Sequence, residues 1–299
     1  MTPERRPLPH ESRAAALFLA PGLLIIGVFF VLPIVASLLL SFTDFDIYAI
    51  ADPANVRLVA LANYAALVRD PLFWIALRNT LYFVFVGGPL TLAVALGAAL
   101  LLHSKRARWK GLFRTVFFAP YVTTLVGVAI VFRYLYHPRF GLLDRALGWL
   151  GIPPIDWLGD PRWAMPAIIL LAVWKNFGYA MILFIAGLGV IPESLYEAAR
   201  IDGAGPWQAF RKITLPLLSP TFLFLGVTTA IGYFQYFAEP YVMTSGGPLN
   251  ATLSVGLLMY RQGFRWWNMG YAAAIAFVLF LLVVAVSGAQ FALQKRREP

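Results

Sequence analysis

Long apolar runs alternate with short polar segments along the chain. Lys175 is the only charged residue inside six runs otherwise free of Asp, Glu, Lys and Arg, which cover residues 14–43, 79–102, 115–132, 163–192, 213–238 and 266–294. A helix needs about 20 mostly apolar residues to cross the hydrocarbon core of a bilayer. The third run is slightly short, but the long side chains of its flanking arginines can extend it. The pattern predicts six transmembrane helices.

A seventh uncharged stretch, residues 240–260, differs from the six runs. It contains Ser245-Gly246-Gly247-Pro248, and clusters of Gly, Ser and Pro mark turns. We therefore expect a loop there rather than a helix in lipid. The first run is much longer than the apolar region of about 7–15 residues in a signal peptide, and no small-residue cleavage site ends it. We expect that run to be a retained helix.

Composition supports a membrane protein and excludes several other classes. Of the 299 residues, 60% are hydrophobic and 13% are charged, whereas soluble domains average about 25% charged residues. The chain has no cysteine, which excludes disulfides, cysteine-ligated zinc and iron–sulfur clusters. Its histidines, His10, His103 and His137, are too scattered to suggest a metal site. The predicted fold class is all-α integral membrane, with six transmembrane helices.

The net charge of +10 is concentrated on one side of the predicted bundle. The two ends of the chain and its second and fourth loops together carry fourteen basic and six acidic residues, whereas the other loops carry eight of each. Cytoplasmic loops are enriched in Lys and Arg, so both termini are predicted to be cytoplasmic. The chain is then divided into a cytoplasmic segment 1–13, a transmembrane domain 14–294 and a cytoplasmic tail 295–299. Topology explains the charge without a nucleic-acid partner.

The loop between the fourth and fifth runs, residues 191–216, is predicted to form two short helices. Pro192 suits a first helical position, and Glu193 complements the positive end of the helix dipole. Gly203 ends this helix and Pro206 begins the next. The loop therefore has a defined structure.

A flexible linker would be rich in Ser, Gly and charged residues throughout. This loop carries instead three aromatic residues and two small ones, Tyr196, Trp207, Phe210, Ala198 and Ala199. Aromatic and small residues on an exposed loop are typical of a surface that docks a protein partner.

The spacing of residues in this loop resembles the EAA loop of bacterial binding-protein-dependent ABC importer permeases. Its Glu-Ala-Ala-x-x-Asp-Gly-Ala form is similar to the carbohydrate branch of that family, of the maltose and glycerol-3-phosphate type. Weaker similarity to this branch occurs in residues 63–81, 241–248 and 270–274. The residues that carry the resemblance in the loop, and that it implies are coupled to an ATPase, are Glu197, Ala198, Ala199, Asp202, Gly203, Ile213, Leu215 and Pro216.

The resemblance implies an ABC importer permease fold and a set of partners. In such permeases the first short helix of the loop docks in a cleft of a cytoplasmic ATPase, whose closure on ATP moves the loop as a lever. We expect a second, homologous permease subunit, a cytoplasmic ATPase dimer and an extracytoplasmic solute-binding protein. We expect the chain to be a multi-pass protein of the bacterial cytoplasmic (inner) membrane.

The chain itself is not expected to be an enzyme. It contains no G-x-x-x-x-G-K-[ST] phosphate loop, the motif that would cradle the phosphates of ATP. It also lacks a Ser/His/Asp set or a carboxylate pair that would indicate catalysis. We therefore expect no cofactor on this chain, and ATP with Mg²⁺ on the partner ATPase.

Polar and aromatic residues in the fourth and fifth runs are candidates for the path of the solute. A cation at the centre of a membrane helix costs roughly 2.5–3.5 kcal/mol on insertion scales, so it should face a wet cavity or a partner group. Aromatic faces with a few hydroxyl and amide groups suit a sugar. Snorkelling, a structural hydrogen bond and ordinary helix packing are alternative explanations. The candidates are Lys175, Asn176, Tyr179, Tyr233, Gln235 and Tyr236.

An ion-coupled secondary transporter is the alternative function. Such transporters tend to carry internal repeats and intramembrane acids, and the sequence shows no obvious repeat and no Asp or Glu well inside a run. For an importer, a di- or oligosaccharide is the favoured solute, with glycerol-3-phosphate or another polyol as the next choice. A phosphorylated solute would need basic groups in its path, and Lys175 is the only candidate, so the sequence favours a neutral sugar.

Overall fold

The computed structural model describes residues 9–104 and 107–295, which are almost entirely helical and contain no β-strand. The predicted cytoplasmic segments 1–13 and 295–299 lie largely outside these described residues. So do Lys105 and Arg106 of the basic second loop. Within the described residues, the all-helical prediction is confirmed.

The chain forms two compact units, of which the first runs to Arg69 and includes Arg261–Phe277. In this unit the π-helical turn Gly27–Val31 joins the helix Pro9–Ile26 (α1) to the helix Leu32–Leu40 (α2). The side-chain amide of Asn63 donates to the carbonyls of Ser41 (2.9 Å) and Thr43 (2.8 Å), just beyond the end of α2. Its other elements are the 3₁₀ turn Pro53–Asn55, the π-helical turn Arg261–Arg265 and the start of α17. The helices are α1 (Pro9–Ile26), α2 (Leu32–Leu40), α3 (Ile47–Ala51), α4 (Ala62–Arg69) and α17 (Met269–Lys295).

The second unit comprises Asp70–Tyr260 and the chain from Val278. Two π-helical turns, Phe83–Gly87 and Phe210–Thr214, continue the helices that precede them. The helices of this unit are α5 (Pro71–Tyr82), α6 (Gly88–His103), α7 (Lys110–Val122), α8 (Leu125–Leu135), α9 (Leu142–Gly148), α10 (Pro161–Val190), α11 (Glu193–Ile201), α12 (Pro206–Ala209), α13 (Leu215–Leu217), α14 (Ser219–Phe234), α15 (Ala238–Met243), α16 (Val255–Tyr260) and the rest of α17.

Four helices in the described part of the chain are long and apolar enough to cross a membrane. They match the first, second, fourth and sixth predicted runs, and are Leu17–Leu40, Pro71–His103, Pro161–Val190 and Met269–Gln294. The third and fifth predicted helices are each broken in two. The third bends by 100° between α7 and α8, and the fifth by 64° between Pro206–Leu217 and α14. The described residues therefore give four spans, or up to six if each bent pair is one span.

Local sequence explains both bends. Thr123 and Thr124 adopt extended backbone between α7 and α8, and the Thr123 hydroxyl donates to the Pro120 carbonyl at 2.6 Å. A Thr side chain that bonds to nearby backbone competes with the helix. In the other pair, Pro220 follows the bend, and proline has no N–H to donate to the carbonyl of Pro216. Hydropathy alone marks both segments as apolar but does not report the change of direction.

The stretch 240–260, predicted to be a loop rather than a spanning helix, contains two short helices and is largely buried. Short helices α15 and α16 flank a turn, and most of α16 is buried. The amide of Asn79 donates to the carbonyls of Asn250 (2.8 Å) and Leu253 (3.0 Å), and the Val255 N–H donates to the Thr80 hydroxyl at 3.0 Å. The turn was predicted correctly. Its burial depends on two polar side chains of α5, which the local composition does not reveal.

The core of the second unit lies where α6, α10 and α14 meet. Fully buried Ala95 and Ala99 of α6 face Met181 and Phe184 of α10. Small residues allow helices to approach closely where lipid provides no hydrophobic driving force. The arrangement fixes the middle of α10 against its neighbours.

The backbone of α7 approaches α10 closely at Gly178. A Cβ added to Gly178 would overlap the carbonyl of Phe117. Only glycine allows the two helices to come this close. Gly97 of α6 offers a comparison, because a Cβ there would have open space.

We expect Gly178→Ala to lower the free energy of unfolding by about 1–3 kcal/mol, because the added methyl forces α7 away from α10. Gly97→Ala is the matched control and should be neutral or slightly stabilising, since Ala is favoured over Gly in a helix. Thermal unfolding of the detergent-solubilised chain, followed by circular dichroism, distinguishes the two variants. Equal stability of both variants would contradict the close packing.

Candidate functional site

The loop that carries the Glu-Ala-Ala spacing forms two helices joined by a tight turn, and we call residues 191–217 the elbow. α11 begins after Pro192, which is its N-cap rather than its first helical residue as predicted. Gly203 has a φ of +76°, a left-handed conformation that favours glycine. Pro206 then opens the second helix, which continues to Leu217. The predicted pair of short helices is present.

Side-chain hydrogen bonds hold the two helices of the elbow together. The hydroxyls of Tyr196 on α11 and Thr214 on the second helix lie 2.9 Å apart, and Thr214 is buried. The Gly205 N–H donates to the side-chain oxygen of Gln208 at 3.1 Å, which closes the start of the second helix. The elbow therefore forms one connected unit.

The elbow exposes several apolar side chains. Leu195, Ile201 and Trp207 are 42%, 87% and 69% exposed, and large exposed apolar side chains can mark an interaction site. Of the predicted coupling residues, Glu197, Ala198, Asp202, Gly203 and Pro216 are exposed, whereas Ala199, Ile213 and Leu215 are half-buried. The exposed surface of the elbow is suited to a protein partner.

A cavity of ≈ 310 Å³ in the second unit lies beside the middle of α10, the end of α14 and the bend between α7 and α8, and we call it the mid-span cavity. Five of the six predicted path residues line it, whereas Gln235, the C-cap of α14, is exposed and is not part of its wall. The lining residues are Thr91, Tyr121, Leu125, Lys175, Asn176, Tyr179, Ala180, Thr228, Thr229, Gly232, Tyr233, Tyr236 and Glu239.

Aromatic rings and hydroxyls dominate the wall of the mid-span cavity. Tyr121 and Tyr179 stack with ring centroids 4.7 Å apart and planes 13° apart. Tyr233 shares a hydrogen bond of 2.6 Å with the Thr91 hydroxyl, and the Asn176 amide donates to the Ala172 carbonyl at 2.8 Å. Aromatic rings, hydroxyls and an amide thus line the same space.

Lys175 is buried and directs its ammonium group at the bend in the third predicted span. Its Nζ donates to the carbonyls of Pro120 (3.0 Å), Tyr121 (3.3 Å) and Thr123 (2.7 Å). An ammonium has three N–H donors, so these three acceptors use all of them. The hydrogen-bond alternative raised by the sequence is thus realised within this chain, at the edge of the cavity.

Glu239 is the functional candidate that sequence reasoning missed. The charge count assigned it to an outer loop, but it is buried, lines the mid-span cavity and interacts electrostatically with Lys175. The hydroxyl residues of the wall, Thr91, Thr228 and Thr229, were also overlooked. These threonines are uncharged polar residues within apolar runs, so a pattern based on charged residues does not reveal them.

Comparison with known proteins identifies the family of this chain. Residues 92–299 match the family described as binding-protein-dependent transport system inner membrane component. The lactose transport system permease protein LacF of Rhizobium radiobacter is 38% identical, over 94% of each chain. The arabinooligosaccharides transport system permease protein AraP of Bacillus subtilis is 35% identical, over 94% of this chain and 89% of that protein.

The fold is also similar to a solved structure. A chain of the bacterial alginate ABC transporter, in complex with alginate pentasaccharide-bound periplasmic protein, has a TM-score of 0.78, with 96% of each chain covered and 21% identity. At this identity the similarity supports the fold alone. The ion-coupled alternative finds no support in these comparisons. The chain belongs to the binding-protein-dependent transport system inner membrane components, a family of ABC transporter permeases that are not themselves enzymes.

Proposed function

We propose that this chain forms half of the translocation path of an ATP-driven importer for a neutral sugar or related polyol, with the mid-span cavity as its solute site. The single observation that carries this proposal is the composition of the cavity wall. Stacked tyrosine rings can cover the apolar C–H faces of a sugar, while threonine, tyrosine and asparagine groups can bond to its hydroxyls. The volume of ≈ 310 Å³ is within the range of about 300–1,000 Å³ for ligand pockets.

The charges of the cavity favour a neutral solute over a phosphorylated one. All three donors of Lys175 are directed at backbone carbonyls, which leaves none for a phosphate. Glu239 adds a compensating negative charge in the same cavity. The names of the lactose and arabinooligosaccharide relatives agree with a sugar substrate.

We assign the elbow the role of receiving motion from a cytoplasmic ATPase. Its exposed face carries Glu197, Ala198 and Ile201, and the Tyr196–Thr214 hydrogen bond joins its two helices. A groove of ≈ 1050 Å³ is lined by both helices of the elbow and by the ends of α6 and α10. ATP and Mg²⁺ would bind to that ATPase and not to this chain.

The remaining parts of the assembly follow from the same role. One elbow serves one cleft, and an ATPase dimer has two, so we expect a second, homologous permease subunit. An extracytoplasmic binding protein would deliver the solute. Six spans, both termini in the cytoplasm and a location in the bacterial inner membrane complete the proposal, with α7 and α8 together acting as one span and α14 as the main part of the fifth.

Tyr179→Ala should weaken solute uptake while leaving the amount of protein in the membrane unchanged. Loss of one aromatic contact costs about 0.5–1.5 kcal/mol, which corresponds to an increase in KM of about 2–10-fold. Uptake of radiolabelled lactose, maltose and glycerol-3-phosphate by cells that express the complete importer measures the effect. Tyr82→Ala is the control, because Tyr82 is 47% exposed and does not line the cavity.

Two outcomes of this experiment would contradict the proposed solute site. One is uptake of glycerol-3-phosphate without uptake of either sugar, which would exclude a cavity selective for neutral solutes. The other is an unchanged KM in Tyr179→Ala for a sugar that the parent importer carries.

Gly203→Pro should abolish uptake without preventing membrane insertion. Proline fixes φ near −65°, whereas Gly203 has a φ of +76°, and proline would also remove the N–H that donates to the Arg200 carbonyl at 3.1 Å. Gly205→Ala is the matched control, since Gly205 has a φ of −72° and open space for a methyl group. Normal uptake by Gly203→Pro, measured at equal protein amounts in the membrane, would contradict a rigid coupling elbow.

A further inference from the structure

The bend between α7 and α8 leaves backbone carbonyls open in the middle of the second unit. The last four carbonyls of a helix have no partner inside that helix, and hydrocarbon offers no water to bond to them. In α7 the Thr123 side chain returns to Pro120, but the carbonyls of Tyr121 and Thr123 also need donors. Lys175 of α10 supplies hydrogen bonds to all three residues.

The counter-charge of Lys175 is Glu239, which lies on α15, the helix that packs against α8. Glu239 interacts electrostatically with Lys175 and is buried with it. Arg133 of α8 donates to the Val242 carbonyl of α15 at 3.3 Å. The lysine thus holds the end of α7, and its partner glutamate belongs to the helix that holds α8.

The same contacts determine one wall of the mid-span cavity. Tyr121, whose carbonyl accepts from Lys175, stacks through its ring on Tyr179. If the end of α7 moves, the Tyr121 ring moves with it and the stacked pair separates. Lys175 can therefore affect a solute in the cavity without donating a hydrogen bond to it.

We propose that Lys175, with Glu239 as its counter-charge, is a positioning residue for transport that fixes the bend between α7 and α8 and thereby places Tyr121 in the cavity wall. The proposal rests on the proposed solute site only for its effect on transport. Its structural part, a lysine that sets the angle between two helices, can be tested with no solute present.

The absence of cysteine from the chain makes a distance measurement straightforward. Cysteines at Val116 on α7 and Val131 on α8, which are 53% and 56% exposed, would be the only thiols available for spin labels. Double electron–electron resonance on the full chain in lipid nanodiscs then reports the distance across the bend. We expect a narrow distribution in the parent, and a shifted or broadened one in Lys175→Met.

Three further variants make the result specific to the lysine. Lys175→Arg retains a multidentate donor and should restore most of the parent distribution. Lys175→Met combined with Glu239→Gln leaves no unpaired buried charge and should still shift the distribution. Asn176→Ala removes a neighbouring cavity residue that donates to the Ala172 carbonyl of its own helix and bonds to the Tyr233 side chain of α14. Neither partner belongs to α7 or α8, so this variant should leave the distance unchanged.

Uptake of radiolabelled lactose by cells expressing the complete importer supplies the second measurement. Lys175→Met should raise KM severalfold with Vmax largely retained, and Lys175→Arg should restore KM. If the parent does not take up lactose, the choice of solute is wrong, but the spin-label distances still decide the role of Lys175.

An unchanged distance distribution in both methionine variants would overturn the proposal. So would a shift of equal size in Asn176→Ala, because the effect would not then belong to the lysine. Loss of helical circular dichroism in both the single and the combined variant would overturn it as well, since Lys175 would then support the whole bundle rather than the bend.

Discussion

An apolar solvent requires that every backbone polar group be bonded within the protein, and this constraint governs each irregular part of the second unit. A continuous helix satisfies its backbone groups internally, but a broken helix needs hydrogen-bond partners from elsewhere. Lys175 bonds to the free carbonyls at the end of α7, and Asn79 and Thr80 bond to backbone groups at the turn before α16. These few polar side chains permit bends and turns that an apolar sequence could not sustain, and the mid-span cavity lies beside one of them.

The two candidate sites are connected by continuous chain. α10 carries Lys175, Asn176 and Tyr179 in its middle and ends at Val190, immediately before the elbow. After the elbow, α14 adds Tyr233 to the wall of the same cavity. A unit that links the two cavity-lining helices, and is itself held by the Tyr196–Thr214 hydrogen bond, can transmit a push at its exposed face to both. This arrangement is the physical basis that we propose for coupling in this chain.

The sequence predicted local properties of the chain, such as where helices and turns lie, but not the directions in which the helices run. Apolar runs located the four straight spanning helices, and the Gly203–Pro206 spacing predicted the turn of the elbow, because length and backbone preference are local properties. The bends were missed, since hydropathy carries no information on orientation. Lys175 was identified as anomalous, but its acceptors lie more than fifty residues away. Glu239 was assigned to an outer loop because it directly follows an apolar run, and Gln235 was a candidate because its amide lies among aromatic residues.

The central claim, that a separate ATPase moves this chain through its elbow, is tested most directly by site-specific cross-linking. A single cysteine at Ala198, on the exposed face of α11, would be treated with a thiol-to-amine reagent in membranes containing the complete importer. We expect a cross-linked product that contains the nucleotide-hydrolysing subunit and whose yield changes when ATP is added. A cysteine at Trp149, which is 85% exposed in a predicted outer loop, should give no such product. Absence of the product from Ala198→Cys, or an equal yield from Trp149→Cys, would contradict the claim.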